Sequence, residues 1–418
     1  MTPTGDPMAI WAITALATAG VLIRPFRWPE AVWAVLGAVL LVGLGLLPLA
    51  EGARAVAKGL DVYLFLIGMM LLSEIARREG LFDWVAAFAV NHAGGSPRRL
   101  FLLIYGVGIA VTSFLSNDAA AVVLTPAVVA AARKARADPL PYLFICAFIA
   151  NAASFVLPIS NPANLVLYGD HVPPLGPWLA SFALPSLASI LATWAVLRWS
   201  RRAALTGRCE TEVDQPTLSA GGWTALIGLV VTAVVLVVVS ARGIQLGAPT
   251  CAMGALSTGI VLVRKRASPV PVLRGVSWAV LPLVAGLFVM VEALNRTGLA
   301  RVLAGWLHAG AASSVDGAAA ASGVIIAVVC NLTNNLPAGL IASTALVQAH
   351  APTKVVDALL IGVDLGPNLS ITGSLATILW LTAIRREGEE VGFGAFLKVG
   401  ALVMPPALLL AIGVRLLI

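Results

Sequence analysis

The chain has 418 residues, of which 59% are hydrophobic and only 11% charged, with a mean hydropathy of +0.95. A soluble protein of this size needs about 25% charged residues to cover its surface, so this composition excludes a water-borne globular fold and makes lipid the main solvent. The net charge of +7 sits in short loops between apolar runs, which is the pattern of membrane orientation and not of a nucleic-acid surface.

Apolar runs long enough to cross ~30 Å of hydrocarbon as helices recur from end to end. The alternating segments of ~10 residues that build a membrane β-barrel do not occur. Spans are predicted at 8–24, 29–50, 60–78, 141–169, 178–199, 221–241, 246–263, 276–295, 355–383 and 394–416. Met1 to Asp6 carry no basic leader region, so the first run is read as a retained span. The segment 81–95, with Leu81, Phe82, Trp84, Val85 and Phe88, reads as a short interfacial helix. Regions 97–136 and 318–350 each hold two arms around a polar break, Ser116-Asn117-Asp118 and Asn334-Asn335 followed by Pro337. Each is read as a re-entrant hairpin whose tip reaches mid-membrane, the alternative being two full spans and a loop.

An internal repeat organises these elements. A shift of 218 residues carries Gly68, Glu74, Arg78, Gly80, Leu81 and Asn117 onto Gly286, Glu292, Arg296, Gly298, Leu299 and Asn335. A shift of 212 carries Ser160-Asn161-Pro162 onto Thr372-Gly373-Ser374, and Tyr168 onto Trp380. The expected fold is therefore all-α and polytopic, with about ten spans and two hairpins in two inverted repeats. Repeat 1–200 holds the hairpin 97–136 and the broken span 141–169. Residues 201–220 form a cytoplasmic linker. Repeat 221–418 holds the hairpin 318–350 and the broken span 355–383. Five full spans per unit is an odd number, so the second copy enters upside down. Assigning loops by alternation puts 20 of the 27 Lys and Arg residues on one side and seven on the other. Positive loops stay inside, so both termini are expected outside a cell (inner) membrane.

Four polar breaks interrupt the apolar sequence: Ser113 to Asp118, Asn151 to Asn164, Asn331 to Asn335, and Asp364 to Ser374. Pro158, Pro162, Gly366, Pro367 and Gly373 accompany them and unwind the helix, freeing backbone amides and carbonyls. Polar groups at that depth are unfavourable unless they line a cavity or pair with one another. The four breaks are expected to converge as a cage. Asp118 and Asp364 are the acids placed deepest, and a desolvated carboxyl suits a coupling proton; each could instead cap the next helix arm. Glu74 with Arg78 and Glu292 with Arg296 read as structural i,i+4 ion pairs. Cys146, Cys209, Cys251 and Cys330 show no zinc or disulfide spacing, and the four histidines are expected in loops or at interfaces. Trp28, Trp33, Trp178, Trp199 and Trp223 read as interface anchors.

The stretches FLSNDAAAVVLTPAVVA (114–130), NLTNNLPAGLI (331–341) and VDLGPNLSITGSLATILWL (363–381) resemble the arsenite efflux pump (ArsB) family over nearly the whole chain. PISNPANLVLYGD (158–170) is closer to the general pattern of the wider ion-transporter superfamily. The resemblance implies export of arsenite and antimonite against inward proton flow, with no cofactor and no enzymatic reaction. It also implies a moving unit of hairpins and broken spans, sliding elevator-fashion against a scaffold that in this fold often dimerises. Some family members associate with a soluble arsenical ATPase. Arsenite near neutral pH is an uncharged trihydroxide. A cage of Ser116, Asn117, Asn161, Asn164, Asn334, Asn335, Asn368, Ser370, Thr372, Gly373 and Ser374 suits such a solute, with Asp118 or Asp364 as proton carrier. Rival readings on the same fold are a sodium/proton antiporter and an organic anion carrier. The absence of Ser-Asn-Thr at the tips counts against the carrier.

Overall fold

The computed structural model describes residues 6–214 and 216–418; Met1–Gly5, Gln215 and the side chains of Arg27 and Asp170 lie outside the described residues. The leaderless reading of Met1–Gly5, the orienting charge of Arg27 and the carboxyl of Asp170 therefore fall outside them too. The first half runs through α1 (Pro7–Ile23), α2 (Glu30–Gly43), α3 (Leu49–Lys58), α4 (Leu60–Arg78), α5 (Leu81–Ala93), α6 (Pro97–Leu115), α7 (Asn117–Ala119), a π turn (Ala120–Leu124), α8 (Thr125–Lys134), α9 (Leu140–Ala152), α10 (Pro162–Tyr168) and α11 (Leu175–Ser200). The second runs through α12 (Ala220–Ala241), α13 (Gly247–Lys265), α14 (Val270–Gly275), α15 (Val280–Arg296), α16 (Leu299–Ser313), α17 (Val315–Thr333), α18 (Asn335–Ala349), α19 (Thr353–Leu365), α20 (Leu375–Arg386) and α21 (Phe393–Leu417). No strand occurs among the described residues.

The order of elements is the same in both halves: two apolar helices, a short helix, a packed helix, a second short helix, two arms around a tip, a broken pair and a closing helix. Local chemistry repeats with it. Ser96 caps α6 by accepting from the Arg99 amide, and Ser314, 218 residues on, caps α17 by accepting from Gly317. A serine hydroxyl satisfies one of the free amides that open a helix. The halves then cross reciprocally, α4 on α13 and α15 on α2. At Gly68 a Cβ would run into the Thr250 carbonyl, and at Gly286 it would lie 2.7 Å from the Ala34 backbone. Small residues let helix backbones approach closely where lipid gives no hydrophobic drive to associate.

By length and apolarity α6, α11, α12, α17 and α21 can each cross a membrane, and α3 with α4 (bent 46°) and α15 with α16 (bent 73°) pass the same test as pairs. These apolar helices make the chain a multi-pass membrane protein. The first arms of both predicted hairpins, α6 and α17, have 19 residues each and are among the five. The predicted span 29–50 stops early: α2 ends at Gly43, because Gly45 takes a positive φ (72°) and Pro48 starts a new helix. Helix α16 was not anticipated; it stands in the second half where α5 stands in the first.

Candidate functional site

Both tips turn on a residue with positive φ that is not glycine. Ser116 has φ 123° and ψ 163°, and Asn334 has φ 76° and ψ 152°. Such conformations cost about 1–3 kcal/mol and persist where surrounding contacts over-determine them. Here the turn ends one arm and presents Asn117 or Asn335 at the start of the next. The second tip is fastened further: the Asn334 carboxamide accepts from the Leu336 amide (3.3 Å), and the Asn335 amide donates to the Gly373 carbonyl (2.9 Å).

The broken pairs expose backbone that their own polar side chains satisfy. Between α9 and α10, Asn164 Nδ2 donates to the carbonyls of Ser154 (2.9 Å), Leu157 (3.4 Å) and Pro158 (3.3 Å). Asn161 Oδ1 caps α10 by accepting from Ala163 (2.9 Å). Between α19 and α20, Asn331 reaches over from α17, with Nδ2 donating to the Gly366 carbonyl (3.0 Å) and Oδ1 accepting from Ser370 Oγ (2.7 Å). Thr372 Oγ1 donates to the Asn331 carbonyl (3.0 Å). Gly373 has no room for a side chain, since a Cβ would lie 2.5 Å from Pro367 Cα and 2.7 Å from Asn331 Oδ1. Ser374 caps α20 together with Thr377.

Each break also grips the opposite half. Asn161 Nδ2 donates to Asp364 Oδ1 at the end of α19 (2.8 Å), and Ser374 Oγ donates to Asn151 Oδ1 at the end of α9 (3.4 Å). The helix caps set the register one residue from the 212 read in the sequence: an offset of 213 relates Asn161 to Ser374 and Asn151 to Asp364. The pattern is thus symmetric in geometry and asymmetric in charge: an amide in one half stands where a carboxyl stands in the other. Asp364 is fully buried and its Oδ2 has no partner among the described residues. Asn151 Nδ2 closes the network on Asn368 Oδ1 (3.0 Å), and Asn368 Nδ2 donates to the Phe148 carbonyl (3.1 Å).

At the meeting point is a small cavity whose polar wall is Asn117, Asp118, Asn161 and Asn335. Leu336, Pro162, Leu375 and Ala376 come from the same tips and breaks, and Leu66 of α4 and Val280 of α15 form the facing apolar wall. The space at its centre is about that of one water molecule. Asn117 Oδ1 is buried without a partner, and Asp118 forms no ion pair among the described residues.

The residues singled out from sequence therefore divide into two groups. Asn117, Asn161, Asn335 and Asp118 line the cavity. Ser116 and Asn334 form the turns behind it, while Asn164, Asn368, Ser370, Thr372, Gly373 and Ser374 hold unwound backbone. Asp364 is one hydrogen bond away, behind Asn161. Asn331 and Asn151, central to these networks, stand in the sequence only as limits of polar breaks. The offset that pairs Asn151 with Asp364 was the available signal for one, and the spacing of Asn331 one helical turn before Asn335 for the other. Leu66 and Val280 carry no signal, being apolar residues in apolar helices. Cys146 and Cys330 are buried and do not line the cavity.

One peripheral expectation changes. Trp178 is not an interface anchor: it is fully buried against Phe182 and Tyr168, with Nε1 donating to the Phe155 carbonyl (3.2 Å). Its indole is thereby tied to the backbone of the first break. The pair Glu74–Arg78 forms (2.6 Å), with Arg77 joining it (2.7 Å). In the second half the corresponding charges also reach across, Glu292 to Lys58 (2.9 Å) and Arg296 to Glu51 (2.6 Å).

Comparison with known proteins agrees with this architecture. The arsenical pump membrane protein of Escherichia coli K12 is 28% identical over 362 residues, 82% of each chain. An uncharacterized transporter of Mycobacterium tuberculosis is 26% identical over 428 residues, 97% of each. Among solved structures, the Alcanivorax borkumensis YdaH transporter superposes with a TM-score of 0.58 at 16% identity, covering 88% of this chain and 86% of that one. Neisseria gonorrhoeae MtrF, described as illuminating a class of antimetabolite efflux pumps, gives 0.54 at 13%, covering 91% and 84%. These two likenesses concern the fold alone. The family model described as citrate transporter (CitMHS) matches residues 1–384. With that match over most of its length, the chain belongs to the CitMHS family of membrane transporters.

Proposed function

We propose that this transporter exports arsenite and antimonite from the cytoplasm in exchange for protons. The observation that carries the reading is the polar wall of the cavity: three carboxamides and one carboxyl, with no lysine or arginine. An uncharged trihydroxide can donate to and accept from amides at several points, and a carboxyl beside it can take up or release the exchanged proton. Citrate, with several negative charges, would call for cationic partners in such a site. The arsenical pump membrane proteins, alike over most of the chain, support the same substrate class.

The reading includes a topology and a motion. The halves 1–200 and 221–418 are inverted repeats joined by 201–220, with basic loops in the cytoplasm and both termini outside. The two hairpins enter from opposite faces, which the shared cavity at their tips supports even though α6 and α17 are each long enough to cross. The unit of hairpins and broken pairs moves past α4 and α15, whose Leu66 and Val280 offer it a smooth apolar wall. A sodium/proton antiporter is the second reading, favoured by the hard oxygen donors of Asp118 and the three amides.

The test is arsenite uptake into everted vesicles with an imposed pH gradient, with sodium varied separately and citrate added as competitor. Uptake that follows the pH gradient and ignores sodium and citrate is the expected result. Sodium-dependent proton flux without any arsenite effect would select the antiporter, and citrate-sensitive uptake would select an anion carrier.

A further inference from the structure

A second cleft, of about 320 Å³, lies at the end of α6 opposite the Ser116 tip, between the start of α6 and the end of α11. Its walls are Arg98, Arg198 and Arg202 with Trp194 and Trp199. Three guanidinium groups converge there, and none forms an ion pair or a guanidinium hydrogen bond among the described residues. Asp138 is within electrostatic reach of Arg201, which stacks on Phe144 (4.1 Å) and does not line the cleft. Arg198 lies over the Trp194 ring at 5.0 Å and Arg202 over the Trp199 ring at 5.1 Å. Cation–π contact of this kind positions a guanidinium without neutralising it. Trp194 Nε1 is buried and has no acceptor among the described residues. A buried donor without a partner calls for an explanation. Together the cleft offers positive charge and forked donors beside two indole rings, which is the chemistry that binds a phosphate group.

The surface next to the cleft indicates what carries that phosphate. Leu184, Leu187, Leu191, Ala195, Arg198 and Arg202 follow helical spacing and lie on one face of α11 and its continuation. All six are exposed. On α6, exposed Leu102 lies one turn beyond Arg98, and Tyr105 ties the two helices by donating from its hydroxyl to the Ile190 carbonyl (2.7 Å). An apolar rail in the bilayer thus leads directly into a basic, aromatic cleft at the helix ends. We infer that this cleft binds the phosphodiester head group of an anionic phospholipid, with its acyl chains laid along the leucine rail of α11.

The full chain, reconstituted in phosphatidylcholine vesicles, is probed with acyl-brominated phosphatidylglycerol or acyl-brominated phosphatidylcholine at equal mole fraction, reading tryptophan quenching. Stronger quenching by phosphatidylglycerol is expected, and R98Q/R198Q/R202Q should remove the excess, with roughly five-fold lower relative lipid affinity per arginine. The triple lysine variant should retain only part of it, having the charge without the forked, stacked donors. Equal quenching by the two lipids, or an excess unchanged in the glutamine variant, overturns the assignment. An excess abolished by inorganic phosphate, but not by chloride of equal ionic strength, reassigns the cleft to free phosphate. Should the triple glutamine variant fail to fold, R198Q alone carries the same comparison, because this side chain is exposed. Arsenite transport is not the readout, so failure of the proposed substrate leaves this test intact.

Discussion

Asn161 in the first half donates a 2.8 Å hydrogen bond to Asp364 in the second, joining the amide that lines the cavity to the carboxyl buried behind it. The bond makes one connected system of the break in each half. It also gives Asp364 a route to the cavity through a single side chain.

Asp118→Asn and Asp364→Asn should each lower proton-driven arsenite uptake by ~10-fold or more, since an amide cannot exchange a proton. Asn at 364 can still accept from Asn161, so thermal stability should change little. Initial uptake rates and melting temperatures in detergent measure both effects. Wild-type rates in both variants would remove the carboxyls from the mechanism.

Cavity-lining and backbone-holding amides should separate experimentally. Asn117→Ala and Asn335→Ala remove a contact to the solute and should raise the arsenite KM ~5-fold, about one hydrogen bond. Asn331→Ala and Asn368→Ala orphan buried partners and should lower stability by about 1–3 kcal/mol. If Asn368→Ala shifted KM with no loss of stability, Asn368 would belong with the solute-binding amides.

Ser116 holds φ 123° without a hydrogen bond from its side chain. Ser116→Gly should therefore raise stability by ~1 kcal/mol, and Ser116→Val should lower it by more. Unchanged arsenite KM in Ser116→Gly is the expected companion result; a raised KM would show that the hydroxyl meets the solute.

Arg415 in α21 and Asp357 in α19 form a buried ion pair (2.8 Å), and Tyr168 from the first half donates to the same carboxyl (2.7 Å). Asp357→Ala leaves a buried guanidinium without its counterion and should cost about 3–5 kcal/mol. Replacing both charges with leucine should recover part of that loss. Chemical denaturation in micelles reads the cycle, and independent effects of the two substitutions would rule out the coupling.

Much of the site could be read from the sequence because polar residues inside apolar runs have few places to go. Asn117 and Asn335 stood out for that reason and were reinforced by their shared offset. Their side chains do reach one cavity, whereas Thr372 and Ser374, just as polar, are taken up by protein partners, Thr372 on the Asn331 carbonyl and Ser374 on Asn151 and the Thr377 amide. Sequence does not separate those outcomes, because an unwound helix needs satisfied carbonyls as much as a solute needs donors. The early end of α2 was hidden by leucines that continue past Gly43. A tryptophan near a predicted helix end reads as an anchor, and only the packing of Trp178 against Tyr168 and Phe182 takes it inside.

The rims of the crossed helices have a further consequence. On one side Lys58 and Glu51 of α3 hold Glu292 and Arg296 of α15; on the other, Arg78 of α4 donates to the Pro271 carbonyl of α14 (2.5 Å) beside Glu74. Single exposed pairs of this kind contribute little, yet every clasp takes one member from each half. Neither half carries a complete set, and each alone would leave its glycine crossing uncovered. Severed at residues 201–220 and synthesised as two polypeptides, the pieces would therefore find their complement only in each other, by mutual docking and not by self-pairing.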